Sequence, residues 1–146
     1  MTEPLPVSFT ETVIASVRAA VASTLTCDAE PVQLALRLLL SGQQMPIRAL
    51  VTCSFHSGPA GIDAGTALDL IHLSLQRLHA SVDAPSGASA LLGNAAVVLV
   101  GDYLTTGAFR LLVRCADIRV LTLVSDAVNR ASELESIQLG PNLDGQ

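Results

Sequence analysis

The chain of 146 residues carries a net charge of −5, and its 8 basic residues, all arginine, are scattered among 13 acidic ones. No basic stripe is present to track a nucleic-acid backbone, so nucleic acid is excluded as an expected partner. Half of the residues are hydrophobic while only 3% are aromatic and 14% charged, which favours helix packed on helix within one domain spanning 1–146.

A first helix is expected from about Ser8 to Leu25, where Val13, Ile14, Val17, Val21 and Leu25 recur at helical spacing. A second follows Asp28, which offers a cap with Pro31 in the first turn, and it stops at Ser41 and Gly42. A third covers about Ile47 to Phe55 and is ended by "HSGPAG". The fourth starts after Asp63 with Leu68, Ile71, Leu75 and Leu78 on one face, and "SVDAPSGAS" reads as the loop behind it. A fifth, from about Ser89, reaches Arg114, and a sixth, capped by Asp117, runs to about Leu139 before a frayed tail at 140–146. The expected fold is an all-α bundle of about six helices, with no strand pattern or repeat competing.

A mean hydropathy of +0.52 raises either a membrane segment or a large buried interface. The longest weakly charged run, Ala84 to Tyr103, is interrupted by Pro85, Gly87, Gly93, Asn94 and Asp102 and lacks a polybasic flank, so no membrane span is expected. The start of the chain, with Glu3, Pro4 and Pro6, is unlike a signal peptide. Cys27, Cys53 and Cys115 are odd in number and far apart, which fits reduced core thiols. A cytoplasmic protein is the expectation.

Two places carry polar chemistry. On the fourth helix Asp69, His72, Gln76 and His79 form one stripe, and Cys53 lies three residues before His56. Such groups can ligate a metal, but structural zinc wants four convergent ligands; a solvated face or cavity wall is the preferred reading and no metal is expected. The second place is "GNAAVVLVGDYLTTGAF", residues 93–109, an apolar helix that nonetheless holds three glycines, an asparagine and an aspartate. Each interior glycine costs about 0.5–1 kcal/mol against alanine, so helix propensity did not choose them.

The stretch "LLGNAAVVLVGDYLTTGAFRLL" resembles the G-N-x-A-x-x-L-x-G-D-Y-L helix of the trans-isoprenyl diphosphate synthases, the polyprenyl synthetase family. "ALDLIHLSLQRLH" is similar to the helix leading into that family's first aspartate-rich motif, and "SDAVNRASELESIQLG" to the following G-E-x-x-Q-L helix, all in the same order. The resemblance spans roughly Leu34 to Leu139 and implies the first half of the isoprenoid synthase fold. It also implies that Gly93, Asn94, Gly101, Asp102 and Tyr103 belong to a signature helix whose glycines permit close approach and whose polar groups bond neighbouring helices. In the family that helix and the next build a homodimer interface, so Val97, Leu104, Val124 and Val128 are expected at an interface.

The catalytic motifs depart from the family. With His72 on the motif's first histidine, the D-D-x-x-D positions are His79, Ala80, Ser81, Val82 and Asp83, leaving one carboxylate where magnesium needs several oxygens. The family's G-K-x-x-R-P falls on Gly42, Gln43, Gln44, Met45, Pro46 and Ile47, without either cation. The arginine pair falls in "APSGASALL", which has none, and the later lysine-threonine and second aspartate-rich motifs lie beyond residue 146. The implied function is a non-catalytic synthase-like subunit, with no cofactor of its own, that partners a catalytic prenyl diphosphate synthase supplying the magnesium site. The alternative is a homo-oligomeric interaction protein that has left isoprenoid metabolism. A dimer, with a synthase or with itself, is expected in both.

Overall fold

The computed structural model describes residues 8–40, 45–83 and 93–139. Among them the chain forms six helices and no strand: α1 (Phe9–Thr24), α2 (Glu30–Leu40), α3 (Ile47–Phe55), α4 (Pro59–Asp83), α5 (Asn94–Arg114) and α6 (Ile118–Leu139). The all-α expectation holds helix for helix. The tail at 140–146 and most of the expected loop, from residue 84 onward, lie outside the described residues.

Local chemistry explains most of the boundaries. Ser8 and Glu11 make a reciprocal capping box on α1: the Glu11 amide donates to Ser8 Oγ at 3.2 Å and the Ser8 amide to Glu11 Oε2 at 3.0 Å. Asp117 caps α6, its carboxylate accepting the Arg119 amide at 2.9 Å. Four boundaries differ from the sequence reading. The second helix begins at Glu30 and not directly after Asp28, with the Ala29 carbonyl accepting its first helical bond, from Gln33 at 3.0 Å. The fourth begins at Pro59, because proline at a first helical position forfeits only an amide that has no helical partner anyway. It also runs to Asp83, since no glycine or proline intervenes before Pro85. The fifth begins at Asn94 and not near Ser89, after Gly93 at φ 79°, a value that glycine adopts without strain.

The core is organised around α4 and α5, which form the most extensive helix pair. Leu104, Ala108, Leu111 and Leu112 on α5 meet Ala67, Leu70, Ile71 and Leu73 on α4, with Ala35 and Leu36 of α2 and Ala20 of α1 closing the same cluster. A second cluster joins Val13 and Val17 of α1 to Ala49 and Cys53 of α3. Leu104 and Leu111 retain no accessible surface, which is worth roughly 1.5–3 kcal/mol for each such side chain. Ala95–Arg114 is long and apolar enough to cross a membrane by length and composition, and 44% of it is buried inside the bundle. Its inward side, with Val100, Leu104, Ala108, Leu111 and Leu112, forms the centre of the core.

Candidate functional site

The α3–α4–α5 seam holds most of the polar groups singled out from the sequence. Asp69 on α4 points at the N-terminus of α3, which has no side-chain cap of its own. Its two carboxylate oxygens accept the amides of Arg48 at 3.2 Å and Ala49 at 3.0 Å, and the Arg48 guanidinium stands 3.6 Å away. A carboxylate there satisfies two orphan amides and meets the positive end of the helix dipole. Asp69 is thus a cap delivered from a neighbouring helix.

His72, one turn further along, is half-buried. Burial, helped by the nearby Arg48 charge and opposed by Asp69, holds its imidazole below the ordinary pKa. Gln76 is exposed, and the His79 side chain lies outside the described residues. Cys53 and His56 do not come together as a pair: Cys53 is buried among Val13, Val17 and Ala49, where burial pushes its thiol up, while His56 is exposed at the end of α3. Among the described residues no three of His, Cys, Asp and Glu converge as metal ligands.

The signature helix splits into different roles. Gly93 has open space where a Cβ would sit, so its requirement is the positive φ and not close approach. Gly101 is buried, and its carbonyl accepts two hydroxyls, Ser74 Oγ from α4 at 2.9 Å and Thr105 Oγ1 at 3.0 Å. Tyr103 is half-buried and donates its hydroxyl to the Thr26 carbonyl, fastening α5 to the α1–α2 connection. Asp102 is exposed, with no hydrogen bond from its carboxylate to another helix among the described residues, and the Asn94 side chain lies outside them. Interhelical bonding therefore comes from Ser74 and Tyr103.

The expected interface residues are placed inside this chain. Val97, Leu104 and Val124 are buried and Val128 is half-buried against the core. Val97 and Leu104 lie on the inward side of α5, and Val124 and Val128 on the side of α6 that packs on the α4–α5 core. The apolar residues left outward on this side are Val98, Leu99 and Val113 of α5 and Ile118, Leu123, Leu134 and Ile137 of α6.

Sequence reasoning missed the ion pair of Asp63 with Arg114. Asp63 is 8% exposed, inside α4, and both carboxylate oxygens face the Arg114 guanidinium, with Nε donating at 3.0 Å. This hydrogen bond chiefly holds the guanidinium charged, above its already high pKa. The signal was available: a carboxylate in an apolar helix needs a cation. Of the motif positions, Gly42, Gln43 and Gln44 lie outside the described residues, as do the side chains of His79, Ala80 and Asp83. Met45 and Ile47 are exposed and Pro46 occupies the α3 cap. The donor set by residue type, one aspartate among five positions, does not fit a magnesium-diphosphate site.

No protein-family model matches the chain. The octaprenyl diphosphate synthase of Escherichia coli is 31% identical over 138 residues, covering 86% of this chain and 42% of that protein. That of Haemophilus influenzae is 37% identical over 89 residues, covering 56% of this chain and 27% of its own. The chain is a relative of the N-terminal half of the trans-isoprenyl diphosphate synthases. The crystal structure of a decaprenyl diphosphate synthase from Rhodobacter capsulatus superposes with a TM-score of 0.78 at 22% identity, over 88% of this chain and 43% of that one, and shows the same helical fold. The chain spans about two-fifths of the length of these synthases.

Proposed function

We propose that the chain is a non-catalytic prenyl diphosphate synthase-like subunit that associates with a catalytic synthase of the cytoplasm and modulates its output. The observation that carries this reading is the substitution of the first aspartate-rich motif by His79, Ala80, Ser81, Val82 and Asp83. A magnesium-bridged diphosphate needs several carboxylate oxygens to balance its charge. Its partner supplies magnesium and both aspartate-rich motifs. The outward Val98, Leu99 and Val113 of α5 and the outer side of α6 form the docking face. These side chains are exposed in the single chain, and a docked partner would remove their apolar surface from water.

Two measurements test it. The purified chain, incubated with isopentenyl and allylic diphosphates and magnesium, is expected to form no prenyl product; steady turnover by the chain alone removes the non-catalytic reading. Co-expressed with a synthase bearing both aspartate-rich motifs, it is expected to co-elute in fixed stoichiometry and alter the product chain length or rate. Failure to bind any such synthase leaves the second reading, a homo-oligomeric interaction protein, which the same outward residues of α6 favour.

A further inference from the structure

The turn between α5 and α6 consists of Cys115, Ala116 and Asp117, and it reverses the chain through an alanine at φ 54°. An L side chain in that left-handed region crowds its own backbone, which is why glycine usually takes the position just past a helix C-terminus. The Cys115 and Ala116 amides close the turn on the Leu112 and Val113 carbonyls, each at 3.1 Å. From Ala108 to Leu139 the sequence has neither glycine nor proline, so local propensity permits one uninterrupted helix.

Two features among the described residues hold the bend. One is the inward stripe of α6, Val120, Leu121, Val124 and Val128, packed on the α4–α5 core. The other is the Asp117 cap, whose carboxylate also pairs with the Arg119 guanidinium at 3.0 Å. On the opposite side of α6 from that stripe, Leu123, Leu134 and Ile137 face outward. An identical receiving surface exists on every other copy of the chain.

We propose that this hairpin opens at Ala116, joins α5 and α6 into one continuous helix, and exchanges α6 between two copies, each stripe seating on the other's core. The exchange keeps the same α6 core contacts, removes the left-handed alanine and restores the helical hydrogen bonds that the turn interrupts. Against it stand the lost Asp117 cap and the entropy of association. The inference is independent of the synthase-partner reading.

Two substitutions in the full chain move the equilibrium in opposite directions. Ala116→Gly relaxes the turn and weakens the continuous helix, so the dimer dissociation constant should rise by roughly a hundredfold. Asp117→Ala removes the cap and favours continuous helix, so the dimer should tighten by roughly tenfold or more. Sedimentation equilibrium reads both, with circular dichroism melts confirming that each variant is folded. Ala116→Gly should melt higher than the parent, so its readout survives if Asp117→Ala is poorly folded. Mass-tagged dimers mixed together should trade subunits slowly, because each exchange requires α6 to detach. A dimer indifferent to both substitutions, or an Asp117→Ala chain that remains monomeric at high micromolar concentration, overturns the proposal.

Discussion

The α3–α4 contact and the α5–α6 hairpin are both adjacent helices joined by a short connection, but they are closed by opposite means. Between α3 and α4 the backbones themselves touch. A Cβ at Gly65 would collide with the Ala49 Cα, and one at Gly61 with the His56 carbonyl oxygen, while Asp69 reaches across to cap the partner helix. Between α5 and α6 an alanine occupies the position suited to glycine, and an apolar stripe of α6 packs on the core. The first contact depends on residues with no substitute, whereas the second depends on side chains that another copy of the chain can satisfy equally well. Specificity of folding thus resides in the α3–α4 seam, and freedom to assemble resides at α6.

The largest expected effects break each side in turn. Gly65→Val places branched carbons against backbone that cannot give way, so urea unfolding should show a loss of roughly 3 kcal/mol or more, at the upper end of overpacking costs. Val124→Glu buries an unpaired carboxylate at a position only 8% exposed and should cost about 3 kcal/mol. Because Val124 belongs to the chain's own core, that loss should appear as unfolding and not as clean dissociation of a folded monomer. A folded, monomeric Val124→Glu protein would show that α6 contributes little to the core.

Asp69→Ala comes next. It leaves two amides at the α3 N-terminus without their acceptor, and about 1–2 kcal/mol should be lost. Asp69→Asn keeps an acceptor oxygen and should recover part of that. Metal content, measured by mass spectrometry, should be the same in all three proteins, since the carboxylate's partners are amides and a guanidinium.

What the sequence disclosed follows from the range of the forces involved. The start of α1 near Ser8, the cap at Asp117 and the stop after Phe55 are local, and they were legible from residues a few positions apart. The start of α4 was misplaced because Asp63 looks like a cap, while its partner Arg114 lies 51 residues away. Asp69 was seen as one member of a polar stripe, yet its role depends on α3 amides 20 and 21 residues distant. The resemblance singled out the signature helix and placed Val97, Leu104, Val124 and Val128 at an interface, whereas in the folded chain Val97, Leu104 and Val124 are buried and Val128 is half-buried against the core. Periodicity identifies an apolar face without saying whose surface covers it.

Leu123 sharpens the same contrast at smaller cost. It adjoins Val124 in sequence but is 69% exposed, so Leu123→Glu should alter unfolding free energy by no more than about 0.5 kcal/mol. It should raise solubility and weaken any complex that uses the outer side of α6. A stability loss comparable to that of Val124→Glu would mean that α6 packs by both faces within one chain.

The smallest effect concerns His72, which lies beside the Asp69 cap on the rigid side of the comparison. Burial disfavours its charged form, Arg48 adds to that and Asp69 opposes it, so the folded-state pKa lies below the ordinary value of 6.5. The unfolded chain therefore binds more protons as pH falls through that range. The stabilising contribution is complete above it and is lost on acidification, until the folded imidazole also protonates. The urea midpoint should drop slightly between about pH 7.5 and about pH 5.5 in the parent, and this component should vanish in His72→Gln. Removing Arg48 as Arg48→Gln takes away a like charge and should shrink the drop, whereas Asp69→Ala takes away the opposing carboxylate and should enlarge it. If the pH dependence is unchanged in His72→Gln, the imidazole is not its source, and the electrostatics of the α3–α4 seam reduce to the Asp69 cap alone.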